Sequence, residues 1–162
     1  MSRIRPDQLL LPSILDRLLD NNPEQKNETP PDRAQRIRDL RASVRRDLEN
    51  LLNTRVSLVE CPPELTHLSV SLLNYGVPDF GALTMGARDR REHIRKRMEV
   101  AICAFETRFQ HVHVEIAESS TQGSLRFRIE GTLYAEPAPE PVQFESQCIA
   151  PLGEFRVGES RR

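Results

Sequence analysis

The chain contains no tryptophan, and aromatic residues make up only 5% of it. That scarcity argues against a large ligand pocket walled by rings. An excess of one charge is also missing, since 23 Lys and Arg against 24 Asp and Glu leave a net charge of -1 at pH 7. No general attraction to nucleic acid or to an anionic membrane follows from such a balance. Its three cysteines, Cys61, Cys103 and Cys148, are far apart and form no CxxC pair. This argues against a zinc site and for a reducing compartment. Cys103, inside a helical pattern, is expected to be a small buried apolar residue. No apolar run approaches the roughly 20 residues that span a bilayer. The run LLLP at 9–12 is too short for the core of a signal peptide and follows Asp7. The expectation is a cytoplasmic chain without membrane insertion. GxSxG, HExxH, Walker A and GxGxxG are all absent, and no cofactor is expected.

What the sequence does have is a modest core under a charged surface: 162 residues, 38% hydrophobic and 29% charged, enough for one domain. Residues 1–31 read as an N-terminal arm, a short helix and a linker. The helix is SILDRLLD, with Ile14, Leu15, Leu18 and Leu19 on one side, and Pro23, Pro30 and Pro31 mark the linker. Residues 32–162 read as a single α+β domain. Asp32 is placed to cap a helix running to about Leu52, whose apolar stripe is Ile37, Leu40, Val44, Leu48, Leu51 and Leu52. Val56 and Leu58 suggest a short strand. Leu65, Leu68 and Leu72 have helical spacing, although Val70 and Leu72 also alternate with serines; a short helix is the preferred reading. The turn residues of NYGVPD follow, with Gly76 suited to positive φ. A long helix over about 87–109 carries Ile94, Met98, Ala101, Ile102, Phe105 and Phe109 on one stripe. Strands are expected at 112–116 and 125–129, the second extending toward Leu133 and Tyr134. After the proline-rich AEPAPEP break, Val142–Cys148 forms a third strand, with weak pairing by Phe155 and Val157. The sum is α+β, with helices packed on one face of a small, mainly antiparallel sheet.

The most informative polar residues are Glu106 and Arg108, which flank Thr107 between Phe105 and Phe109. Charges held beside a core need each other or a partner chain. The pair therefore reads either as an internal salt bridge or as a latch to another protein. Tyr75 and Phe80 either anchor their turn to the core or touch a partner. Arg55 is either exposed or bonds to last-turn carbonyls. Arg45-Arg46 and Arg95-Lys96-Arg97 are interleaved with acids and read as solvated faces with local ion pairs. His111 and His113 share a strand face, read as its solvent side. As a catalytic acid Glu106 is poorly placed, because a cation, Arg108, stands only two residues on.

Three segments in order, SVRRDLENLLNTR at 43–55, LLNYGVPDF at 72–80 and ETR at 106–108, resemble the signature segments of the TssE family. These are baseplate subunits of bacterial type VI secretion systems, similar to the baseplate wedge proteins of contractile phage tails. The resemblance covers about residues 10–135; where the family has Glu-Pro-Arg, this chain has Thr107 in the middle. It implies a structural, non-enzymatic subunit that links wedge proteins resembling TssF and TssG to a contractile sheath resembling TssB and TssC. It also implies partner contacts by Glu106, Arg108, Arg55, Asn74, Tyr75 and Asp79, and neither metal nor cofactor. Sheath relatives exchange strands between neighbours, which would place strand addition at about residues 125–148. Some relatives are called lysozyme-like, so the alternative expectation is a peptidoglycan hydrolase.

Overall fold

The structure is a computed structural model; it describes residues 14–18, 24, 32–56, 64–78, 88–117, 124–135, 138–149 and 153–159. The elements run α1 (Ile14–Leu18), α2 (Arg33–Asn53), α3 (Arg88–Phe105), β1 (Phe109–Ala117), β2 (Ser124–Leu133), β3 (Glu140–Ile149) and β4 (Glu154–Glu159). The four strands form one antiparallel meander in the order β1-β2-β3-β4. The α+β expectation is met, with α2 and α3 on one face.

Alternation makes that face. Val114 on β1, Leu125, Phe127, Ile129 and Leu133 on β2, Val142, Phe144 and Cys148 on β3, and Phe155 and Val157 on β4 are all buried. Successive strand side chains point to opposite faces, so His113, Glu115, Glu130, Glu145, Glu154 and Arg156 are left exposed on the other. His111 and His113 lie on this solvent side, as expected. Strands about 4.8 Å apart give a four-stranded sheet a width near 14 Å, which two helices packed 8–10 Å apart can cover. α2 supplies Val44, Leu48, Leu51 and Leu52 to the core, and α3 supplies Ile94, Met98, Ala101 and Ile102.

The helix ends follow side-chain chemistry. Asp32 Oδ1 accepts the Gln35 N–H at 2.7 Å, the cap that its position suggested. Thr54 closes α2, its N–H and its hydroxyl both donating to the Asn50 carbonyl, at 3.0 and 2.7 Å. α3 ends at Phe105, not at 109. Phe109 N–H donates to the Glu106 carbonyl at 3.3 Å, a turn that diverts the chain, and Phe109 opens β1 instead. An irregularity between Phe109 and His111 then shifts the register against β2. The Phe109 ring lies over Gly131, where an added Cβ would come within 2.6 Å of it.

Other expectations needed correction. Cys103 is exposed, because it falls on the flank of α3 away from the stripe; Cys148 is the buried thiol, and Cys61 lies outside the described residues. Leu15 and Leu18 of α1 are exposed rather than packed; α1 meets α2 through Asp16, which binds Ser43 and Arg46, and not through its leucines. The stretch around 65–74 forms two 3₁₀ turns, Leu68–Val70 and Leu72–Asn74, and leaves Leu65, Leu72 and Leu73 exposed. The expected strand at Val56 is reduced to a single bridge between Arg55 and Val77, its continuation at Leu58 lying outside the described residues. β4, expected to pair weakly, is in register with β3 along its whole length. Strands β2 and β3, where the family resemblance placed strand addition, are hydrogen-bonded on both sides. They have no free edge to offer; the edges are β1 and β4. Like the linker prolines, Asp79 and Phe80 lie outside the described residues.

Candidate functional site

The Glu106–Thr107–Arg108 turn turns its charges inward. Arg108 Nε donates to Glu106 Oε1 at 2.7 Å while Nη2 reaches Oε2, a forked contact with both carboxylate oxygens. The same carboxylate accepts the Arg108 backbone N–H at 3.2 Å. Arg108 then spans to α2: Nη2 donates to Asp47 Oδ2 at 2.6 Å and Nη1 to Ser43 Oγ at 2.8 Å. Ser43 and Asp47 lie one helical turn apart and present their side chains together to the turn. The Ser43 hydroxyl in turn donates a hydrogen bond to Asp16 Oδ2 of α1 at 2.6 Å, and Arg46 bridges Asp16 at 2.8 Å and Asp47 at 3.1 Å. One charged node thereby ties α1, α2 and the α3–β1 turn together.

The node is largely dry. The Glu106 and Arg108 side chains are 8% and 17% exposed. Burial works against the Arg108 charge, but the hydrogen bonds and fields of Glu106 and then Asp47 outweigh it and hold its pKa above the usual value. Tyr75 stands beside the node, its ring edge-on to Phe105 at 5.3 Å between centroids. Burial first, then the negative charges of Asp47 and Glu106, raise its phenol above the usual 10.0.

The turn that carries Tyr75 is fixed to the end of α2. Val77 N–H donates to the Thr54 carbonyl at 2.9 Å, and Val56 N–H to the Val77 carbonyl at 3.1 Å. Gly76 has φ of +123°, and a Cβ there would sit 2.4 Å from the Thr54 oxygen; the geometry admits only glycine. Asn74 Nδ2 donates to the Leu68 carbonyl at 2.8 Å and stiffens the 3₁₀ turns. Arg55 donates to the Leu52 carbonyl at 2.8 Å and to the Gly153 carbonyl, the last-turn bonding that was one of its two readings.

The structure thus gathers Glu106, Arg108 and Tyr75 where the C-terminal end of α3 meets the middle of α2, with Asn74 and Arg55 on the adjoining turns, each engaged within the chain. Sequence reasoning missed Ser43, Asp47 and Asp16. A serine and an aspartate spaced i,i+4 beside an apolar stripe were the signal. Arg46 and Arg95 make the local ion pairs expected of them, with Asp47 and with Glu92 and Glu99, and each also reaches another element: Arg46 to Asp16 and Arg95 to the Val114 carbonyl. Both oxygens of Glu106 are clasped by Arg108, so it has no free carboxyl to offer a glycosidic bond.

The polar residues of the node tie the chain's own elements together around a small helix-backed sheet. The model of the baseplate wedge protein gp25 family matches residues 38–138. The chain belongs to that family, whose members are structural baseplate components. The match takes in all three segments noted above in full and leaves out residues 1–37 and 139–162. No curated protein matches the sequence.

Proposed function

We propose that this chain is a TssE-like subunit of a type VI secretion baseplate. It is a cytoplasmic, non-enzymatic part that joins wedge subunits resembling TssF and TssG to a contractile sheath resembling TssB and TssC, and helps to start sheath assembly. The observation that carries this reading is convergence. Segments 43–55, 72–77 and 106–108, far apart in sequence, meet around one node in a chain of the baseplate wedge family.

The wedge attaches at the node end. There the buried charges fix the backbone, and the adjoining 3₁₀ turns hold Leu72 and Leu73 out to solvent at 87% and 73% exposure. Leucines held this far out by a hydrogen-bonded turn suit a docking contact. Substituting Leu72→Asp with Leu73→Asp tests this, since neither side chain supports the core. Co-purification of the TssF- and TssG-like subunits from the native bacterium is expected to be lost with the melting temperature unchanged. Retention of both subunits by the double variant would move the wedge contact elsewhere. Recovery of the parent protein without baseplate or sheath components would end the reading.

A further inference from the structure

The helices close the two outer edges of the sheet unequally. On β4, Val157 N–H donates to Glu49 Oε2 at 3.0 Å, and the Val157 carbonyl accepts from Arg45 Nη1 at 3.3 Å. Phe155 N–H and C=O pair with the side-chain amide of Asn53, both at 2.9 Å, and the Gly153 carbonyl accepts from Arg55. On β1 the device appears once. Val114 N–H donates to Glu99 Oε2 and its carbonyl accepts from Arg95 Nη1, both at 3.0 Å. Outward backbone groups recur at every second residue of an antiparallel edge strand. Val112 and Ile116 therefore share the Val114 edge, and among the described residues neither has a hydrogen bond there.

Val114 is the centre of this edge, and the edge matches its own reverse. A second β1, turned about a two-fold axis through Val114, sets Val112 opposite Ile116, Val114 opposite Val114 and His113 opposite Glu115. The first two pairings continue the apolar face: Val114 is fully buried, and Val112 and Ile116 pack partly against the core. The third lies on the solvent face, where both side chains are exposed, and it joins an imidazole to a carboxylate twice. The clasp is self-complementary as well. Arg95 stands at the Val114 carbonyl and Glu99 at the Val114 N–H. The axis exchanges these two places, so each Arg95 comes to face the Glu99 of the other copy. Reversed order is what the chain itself supplies, and this singles out a second copy as the occupant.

We propose that β1 is a homodimer interface: two copies of this chain pair β1 against β1 about Val114, open both Arg95–Glu99 clasps and rejoin each arginine to the other copy's glutamate. The inference stands apart from the baseplate reading above, since it uses only the edge and its clasp. The two clasp bonds of each Val114 give way to two ladder bonds between the Val114 residues, and the facing Val112 and Ile116 residues add their own. Arg95 keeps Glu92 as a partner at 2.8 Å throughout, so opening the clasp does not strand its charge. Because bonds are exchanged more than added, the dimer is weak and reversible. The β4 edge, served along its length by α2 and by Arg55, takes no part.

Sedimentation velocity of the full-length protein, from low to high micromolar concentration, tests this. The parent is expected to pass from monomer to dimer over that range. Val112→Pro removes an outward N–H that takes no part in the β1–β2 ladder. It is expected to weaken the dimer by about tenfold or more. His113→Lys sets an ammonium opposite each Glu115 and tightens the dimer several-fold, and Glu159→Pro on β4 leaves it unchanged. Should Val112→Pro lower the melting temperature, hydrogen exchange on the parent decides the question: the Val112 and Ile116 amides become protected only at concentrations where the dimer forms. A parent that stays monomeric over the whole range overturns the proposal. So do unprotected amides in the dimer, a dimer that survives Val112→Pro in a stable variant, or loss on Glu159→Pro.

Discussion

Arg108 has Glu106, Asp47 and Ser43 as partners inside a node from which water is mostly excluded. Its removal leaves Glu106, whose side chain is 8% exposed, without a counter-charge. Breaking such a pair is expensive because the surviving ion remains desolvated. Arg108→Ala is expected to destabilise the chain by about 3–5 kcal/mol. Glu106→Ala costs less, about 2–3 kcal/mol, because Asp47 still faces the arginine. Arg108→Lys does not restore stability, since an ammonium cannot make the forked contact with Glu106 while reaching α2. Urea unfolding of the three variants checks the order. Equal, negligible losses would show that the node is not what holds the turn. Beside it, Tyr75 gives a pH dependence. Its phenol is raised in the folded chain by burial and by Asp47 and Glu106. As pH climbs past the usual 10.0, the unfolded chain releases this proton first. Stability contributed below that pH is then lost on the way up through the folded value. Tyr75→Phe is expected to flatten this part of the alkaline limb; an identical pH profile would remove Tyr75 from it.

Elements were legible in proportion to their period. The α2 stripe, the core of α3 and the alternation of β1 to β3 stand out because one repeat runs through each. Junctions did not, because they are decided by single hydrogen bonds. Phe109 has helical spacing from Phe105, yet the turn after Glu106 places it on the first strand residue. The leucines at 65–73 fit a helix by spacing, but no buried surface rewards one, and 3₁₀ turns form instead. The node and the edge clasps were half legible. The Arg-x-x-x-Glu spacing is visible in both helices, but nothing local says that the pairs reach a strand edge. The α3–β1 turn carries its own prediction. Thr107 occupies the second position of a turn closed from Glu106 to Phe109, where proline is favoured. Its side chain is exposed, and its N–H has no hydrogen bond among the described residues. Thr107→Pro is therefore expected to stabilise by about 0.4–1 kcal/mol, through a stiffer unfolded chain. A lower melting temperature would show that the φ here is not one that proline can take.

At the scale of the molecule, the sheet and helix pair form one closed layer, and each edge strand is bound to the helix beside it. The terminal strands are part of that layer and not a detachable arm. β3 lies between β2 and β4, and with β4 it supplies Val142, Phe144, Cys148, Phe155 and Val157 to the core. Two fully buried phenylalanines alone are worth about 2–3 kcal/mol each. Their loss, with the α2 contacts to β4, approaches the whole stability of a domain this size, about 5–15 kcal/mol. A chain ending at residue 141 is therefore expected to lose cooperative unfolding and near-native circular dichroism. One ending at residue 152 keeps β3 but strips Glu49 and Asn53 of their strand partners and exposes the far edge of β3. It is expected to fold with a lowered melting temperature and to self-associate through that edge in sedimentation velocity. A stable, monomeric protein from either truncation would mean that the C-terminal strands are an appendage, and that the layer closes without them.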